Sequence, residues 1–173
     1  MSDTAIATHR DRASCDRDDV RRALRHVAST VHVIATRSDS HFFATTATAV
    51  VSVCLDPPTL AVCLNKSNAL AKHTRPGSPI SVSALARHQQ DIAAACAGGL
   101  PHDERQRFFA ESEDADQIGV LGADAGFAGY CVDVIDIGTH ALLLVHIERV
   151  ACREAIEPLV YLDAKYGGFE ARI

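Results

Sequence analysis

This sequence predicts a mainly β fold with a few short helices, curled into a small barrel and not laid out as a doubly wound parallel sheet. Runs rich in β-branched residues outnumber helical stretches about two to one, and few helices stand between successive runs. The chain has 173 residues, of which 47% are apolar, enough for the core of one domain.

The stretch to Ser14 is polar and charged with no apolar period, so residues 1–15 are expected to form a flexible arm and 16–173 a single domain. A helix is predicted over 16–27: Asp16 can cap it, Asp18 and Asp19 suit its first turn, and Val20, Ala23, Leu24 and Val27 recur at helical spacing. Three strands follow over 30–36, 42–53 and 59–64, separated by Ser38-Asp39-Ser40 and Asp56-Pro57-Pro58. A short helix over 68–74 ends before Pro76-Gly77, a strand covers 79–85, and a helix over 89–96 is halted by Gly98-Gly99. Residues 101–116 read as polar surface cover with Phe108 and Phe109 turned inward. Strands over 130–137 and 141–150 and a closing segment over 159–161 lead to Tyr166-Gly167-Gly168-Phe169. No internal repeat or low-complexity tract interrupts this order.

A formal charge of −5 argues against nucleic acid as a partner, because phosphate backbones are held by an excess of Lys and Arg. No apolar run approaches the roughly eighteen residues that span a bilayer, and the charged opening has no leader-like apolar block, so a soluble, cytoplasmic protein with no membrane partner is expected. The six cysteines form no C-x-x-C pair and most lie in apolar runs, so they read as buried, reduced thiols. Neither they nor the nine histidines show metal-ligand or iron-sulfur spacing, and no metal is expected.

The segment A-T-T-A-T-A-V-V-S-V-C-L-D-P-P, from Ala44 to Pro58, has more small hydroxyl residues (Thr46, Thr48, Ser52) beside alanines than a strand and turn require. Small side chains let a flat ligand approach the backbone; a Thr-rich strand with no ligand has the same pattern, and composition leaves both readings open. Asn65-Lys66-Ser67-Asn68 stands at a strand-to-helix junction, where amide groups, a hydroxyl and a cation can hold a phosphate, or where Ser67 or Asn68 merely caps the helix.

The run T-A-T-A-V-V-S-V-C-L-D-P-P-T-L-A-V-C-L-N-K-S resembles the signature of the short-chain flavin reductases, the reductase components of two-component flavin-dependent monooxygenases, including the 4-hydroxyphenylacetate and pyrimidine-utilisation types. Supporting motifs are I-S-V-S-A-L from Ile80, G-G-L-P from Gly98, E-R-Q-R-F from Glu104, I-G-T-H from Ile137 and P-L-V-Y from Pro158 with Lys165-Tyr166, so the likeness runs from about Val20 to Phe169. It implies a homodimeric split β-barrel of the flavin reductase and FMN-binding type that binds FMN or FAD and takes its hydride from NADH or NADPH. Thr46, Ala47 and Thr48 would then line the isoalloxazine edge, Ser52, Val53 and Cys54 the ribityl chain and phosphate, and Asn65, Lys66 and Ser67 the rest of the phosphate pocket. Tyr166 matches a tyrosine near that pocket. His140 matches a histidine near flavin and nicotinamide and is the candidate catalytic residue, most simply by positioning; a histidine entering an apolar strand also serves structure alone.

The sequence departs from the pattern at Ala44 (often Gly in relatives), Cys54 (Ser or Thr), Ser83 (Asn) and Gly167 (His or Arg). A thiol donates a weaker hydrogen bond than a hydroxyl, which predicts modest flavin affinity and release of reduced flavin to the monooxygenase. The alternatives are a flavin-binding partner protein without reductase activity and an FMN enzyme like the pyridoxamine-phosphate oxidases.

Overall fold

The computed structural model describes residues 15–38, 41–109 and 119–170. Most of the expected N-terminal arm, residues 39–40 of the first turn and 110–116 of the predicted surface cover lie outside the described residues. In chain order the elements are α1 (Arg17–Leu24), β1 (Ser29–Thr30), β2 (His32–Ser38), β3 (His41–Ala47), β4 (Val50–Leu55), β5 (Pro58–Asn65), α2 (Ala69–His73), β6 (Pro79–Ala84), α3 (Gln90–Ala94), α4 (His102–Arg105), β7 (Ala125–Ile137), β8 (His140–Cys152), β9 (Val160–Leu162) and β10 (Lys165–Gly167). The fold is mainly β with helices. Seven strands form an antiparallel sheet in the order β3-β2-β6-β7-β8-β5-β4, and β1-β9-β10 form a small second sheet.

The ladder is open, with β3 and β4 as its edges. These edges are consecutive in the chain and are separated only by Thr48 and Ala49, a link that spans about 10 Å at full extension. The sheet must therefore curl until its opposite edges meet at that corner, although no ladder joins them. This corrects the expected single strand over 42–53: the chain leaves one edge at Ala47 and starts the other at Val50.

Packing follows the alternation of the strands. In β2, Ile34 enters one apolar cluster with Leu60, Val62, Val82 and Leu143, while Val33 and Ala35 enter another with Phe42, Leu85, Phe109 and Leu159. Both faces of this strand are thus covered, and residues 33–36 are all buried. Leu70 seats α2 on the first cluster. Asp16 caps α1, its carboxylate accepting the Asp18 N–H at 3.3 Å, as its position predicted. α3 runs into a π-helical turn, Ala95–Gly99, in which Gly98 takes φ 125°, a conformation suited to glycine.

Two further expectations are corrected. β7 and β8 are thirteen residues each, longer than predicted; the first half of β7, Ala125-Gly126-Phe127-Ala128-Gly129, has weak strand propensity but pairs in register with both β6 and β8. The cysteines are all free, yet Cys15, Cys54 and Cys152 are exposed and only Cys96 and Cys131 are fully buried. Cys54 sits on edge strand β4, which none of the described residues covers there, and Cys152 ends β8.

Gly129 stands at the irregularity where β7 shifts register against β8. A Cβ there would lie 1.8 Å from the carbonyl oxygen of His146. Gly129→Ala is expected to lower stability by about 1–3 kcal/mol, as overpacking does; an unchanged denaturation midpoint would show that the two long strands yield at this point.

Candidate active site

The corner between Ala47 and Val50 separates two hollows that share one wall. The larger, about 380 Å³, lies between Thr46-Ala47-Thr48-Ala49 and the end of β5, with Cys63, Leu64, Asn65, Asn68 and His140 completing it. The smaller, about 190 Å³, has Thr46, Ala47 and Thr48 on one side and Val31, Ala97, Tyr161 and Tyr166 on the other. Among the described residues neither is lined by a carboxylate. β3 is an edge strand, so alternate residues turn their amide and carbonyl away from β2, and by that alternation Thr46 presents its main chain outward. Small side chains keep this backbone accessible.

The polar end of the larger hollow is built by local hydrogen bonds. The Asn65 side chain accepts the Ser67 N–H at 2.8 Å, and the Asn65 carbonyl accepts the Asn68 N–H at 2.9 Å. Asn68 then caps α2 by accepting the Leu70 N–H at 2.9 Å, and its amide donates to Thr45 Oγ1 at 2.8 Å, tying the helix start to β3. Asn65 pairs in register with His140, and the Lys66 N–H donates to the Thr139 carbonyl at 3.0 Å, so the turn after β5 and the turn before β8 lie side by side. Exposed His140 shares a 2.9 Å hydrogen bond between its Nδ1 and Thr139 Oγ1. The Lys66 ammonium lies 3.0 Å from the Asp136 carboxylate, an ion pair that solvent reaches from both sides.

The smaller hollow is aromatic. β9 and β10 bring Tyr161 and Tyr166 into register with ring centroids 5.3 Å apart. Burial, and then the neighbouring Tyr161, push the Tyr166 phenol above its ordinary value, so it stays a protonated donor at neutral pH. On the shared wall the Thr46 hydroxyl donates to the Ala93 carbonyl at 2.6 Å, which commits its proton and leaves its lone pairs to accept.

Of the residues predicted from sequence, Thr46, Ala47, Thr48, Asn65, His140 and Tyr166 line the hollows. Lys66 and Ser67 stand beside them in the turn after β5. Ser52, Val53 and Cys54 line neither; they are exposed on β4, where the Cys54 thiol donates to the Pro57 carbonyl at 3.0 Å. Asn68, read from sequence with its turn as a phosphate or capping candidate, caps α2 and lines the larger hollow, while Cys63, Ala97 and Tyr161 join the walls without having been singled out. Asn68 and Tyr161 lie inside motifs already quoted, and their polar groups on strand or helix ends were the available signal. Among the described residues no group of three or more His, Cys, Asp or Glu is placed to hold a metal ion.

A slot walled by small residues, with free edge backbone, a phenol on one side and an imidazole on the other, suits flat ring systems that need orientation more than acid–base chemistry. Comparison with known proteins agrees. Residues 24–170 match the Flavin reductase like domain family. The chain is 32% identical over 156 residues to the FMN reductase (NADH) RutF of Stutzerimonas stutzeri, covering 90% of each chain. It is 30% identical over 149 residues to the 4-hydroxyphenylacetate 3-monooxygenase reductase component of Pseudomonas aeruginosa, covering 84% of this chain and 88% of that protein. Among solved structures, BorF, the flavin reductase component of a bacterial two-component tryptophan halogenase, superposes with a TM-score of 0.76 at 26% identity, covering 91% of this chain and all of the other. The chain described here belongs to the flavin reductase like domain family.

Proposed function

We propose that this chain is an NAD(P)H:flavin oxidoreductase: it moves a hydride from NADH or NADPH to FMN or FAD and releases the reduced flavin to a separate flavin-dependent monooxygenase. The observation that carries the reading is the pair of hollows meeting across Thr46-Ala47-Thr48, which offers two ring systems a common boundary. The residues fit a flavin: Ala47 and Ala49 leave room for a plane, and Thr46 offers outward main-chain groups to its pyrimidine edge. Nicotinamide and flavin, when bound, supply the hydride donor and acceptor. The protein's part is to hold two rings in contact and keep water out.

In this reading Thr46, Ala47 and Thr48 take the isoalloxazine edge, and Ser52, Val53 and Cys54 follow the ribityl chain along β4. Asn65, Lys66 and Ser67 hold the phosphate. His140 and Tyr166, from opposite hollows, orient the reacting rings, Tyr166 as a neutral donor. The curled sheet whose edges meet without pairing is read as the family's split barrel, formed by a domain over 16–173 behind an arm over 1–15. The molecule is read as a cytoplasmic homodimer. No helix among the described residues is long and apolar enough to cross a membrane, and six free cysteines suit a reducing compartment. Val51, Val53 and Leu55 on β4 are 62%, 53% and 87% exposed in the single chain, an apolar edge that a second copy would cover.

The purified chain is expected to consume NADH only when FMN or FAD is added. A tightly held yellow cofactor inert to NADH would instead favour an oxidase-like enzyme, and silence in all conditions a binding protein. Lys66→Ala is expected to weaken FMN about tenfold or more relative to riboflavin, because only FMN loses a charge-assisted bond; titration showing equal weakening of both ligands would place the phosphate elsewhere. Sedimentation at micromolar concentration is expected to show a dimer, and an active monomer would remove the role given to β4.

A further inference from the structure

One buried cation stands outside both hollows yet is bonded to the strand that forms their common wall. Ala44 lies two residues before Thr46 on β3, and α4 takes both of its outward backbone groups: its N–H donates to His102 Nδ1 at 3.3 Å and its carbonyl accepts from Arg105 Nη1. Arg105, only 6% exposed, also donates to the Cys96 carbonyl at 3.1 Å and, through Nε, to the Leu100 carbonyl at 2.8 Å. No carboxylate pairs with it among the described residues. Its bonds join β3 to the π-helical turn that carries Ala97 in the opposite wall of the smaller hollow, and the Thr46–Ala93 bond ties β3 to α3, the helix that runs into that turn.

His102 Nδ1 also lies 3.3 Å from Arg105 Nη1, so it faces two donors and serves both only without a proton. The titratable and charged groups around it are Arg105 and Asp103 on α4 and His73 on α2. The Phe43 ring stands between the two imidazoles, stacked on His73 at 4.3 Å and edge-on to His102 at 5.4 Å.

We propose that His102 and Arg105 are positioning residues for the candidate active site: they clamp Ala44, fix the Thr46–Thr48 wall against the π-helical turn, and hold it only while His102 is neutral. The clamp follows from geometry alone; its effect on a flavin rests on the reductase reading. Burial, then Arg105, lower the His102 value in the folded chain, with His73 acting the same way and Asp103 opposing. A histidine whose folded value is depressed contributes stability that is full above its ordinary value near 6.5 and is lost as pH falls through the folded value. Burial lowers His32 in the same direction, so melting curves alone do not isolate His102.

The test compares the full wild-type chain with His102→Asn, whose Oδ1 can accept in place of Nδ1 without titrating, and with His102→Ala. The Ala44 amide exchange rate is followed by NMR without ligand. Riboflavin binding is followed by fluorescence between about pH 7.5 and pH 5.5, riboflavin being used because the FMN phosphate itself titrates near pH 6. In the wild type, acidification is expected to speed Ala44 exchange beyond its intrinsic acid–base dependence and to weaken riboflavin about fivefold, the size of one net hydrogen bond. His140 faces the larger hollow, so the deciding comparison is His102→Asn, expected to flatten both dependences while His102→Ala lowers protection and affinity at every pH. A wild-type-like pH dependence in His102→Asn, or an Ala44 amide indifferent to both substitutions, would overturn the clamp. Ala44 behaving as expected in a chain that binds no flavin would overturn the reductase reading and leave the clamp standing.

Discussion

Two residues joining opposite edges of a seven-stranded ladder set the terms for the rest of this molecule. Because Thr48 and Ala49 are all that separates β3 from β4, the sheet has to curl, and at the meeting point neither edge satisfies the other's backbone groups. Such a corner leaves donors and acceptors facing open space, which in most folds is a liability. Here side chains take up part of the deficit, His102 and Arg105 at the Ala44 N–H and carbonyl. What is left uncovered, around Thr46 to Ala49, is where both hollows form. The Thr- and Ala-rich composition of this segment answers two demands at once: large side chains would fill the hollows, and hydroxyls can tie a strand end to the helices beside it.

The core makes this corner rigid enough to be useful. β2 pairs with β3 on one side and β6 on the other while sending Ile34 into one cluster and Val33 and Ala35 into the other, so β3 is mounted on a strand buried on both faces. Burying Arg105 with no carboxylate partner among the described residues is costly in itself, and three backbone carbonyls are what offset it. The arrangement suits a joint between a strand and an irregular helix, since the carbonyls near a π-helical turn that breaks at Gly98 and ends at Gly99 lack the regular partners that an uninterrupted α-helix would give them.

Much of the frame was legible because local and global preferences agreed. β2, β5 and β6 are apolar, β-branched runs bounded by turn residues, and α1 starts at the one aspartate able to cap it. The break at Thr48-Ala49 was not legible: no Gly or Pro marks it, and β-branched residues continue on its far side, because the curl of the whole sheet imposes it. The first half of β7 was hidden by its alanines and glycines, one of which, Gly129, stands where the His146 carbonyl comes too close for a side chain. For the site, the resemblance set Ser52, Val53 and Cys54 along the ribityl chain and phosphate, and the change of edge places them on β4, lining neither hollow. His102 and Arg105 lie in a polar stretch where charged side chains are ordinarily solvated, and only the tertiary contact distinguishes them.

The polar end of the larger hollow is partly engaged within the chain, and this bears on how a ligand would be held. The Asn65 side-chain oxygen is engaged by the Ser67 amide, the Lys66 amide by Thr139 and the Lys66 ammonium by Asp136. On the proposed reading, a phosphate arriving there draws Lys66 from Asp136. Since that pair is solvent-exposed and worth little, the exchange is easy and most of the charge-assisted bond to the phosphate is kept. An arginine cluster held open for a phosphate would bind far more firmly. A site that orients two rings along an apolar, carboxylate-free slot while gripping the anionic end only by exchange is suited to flavin that enters, is reduced and departs.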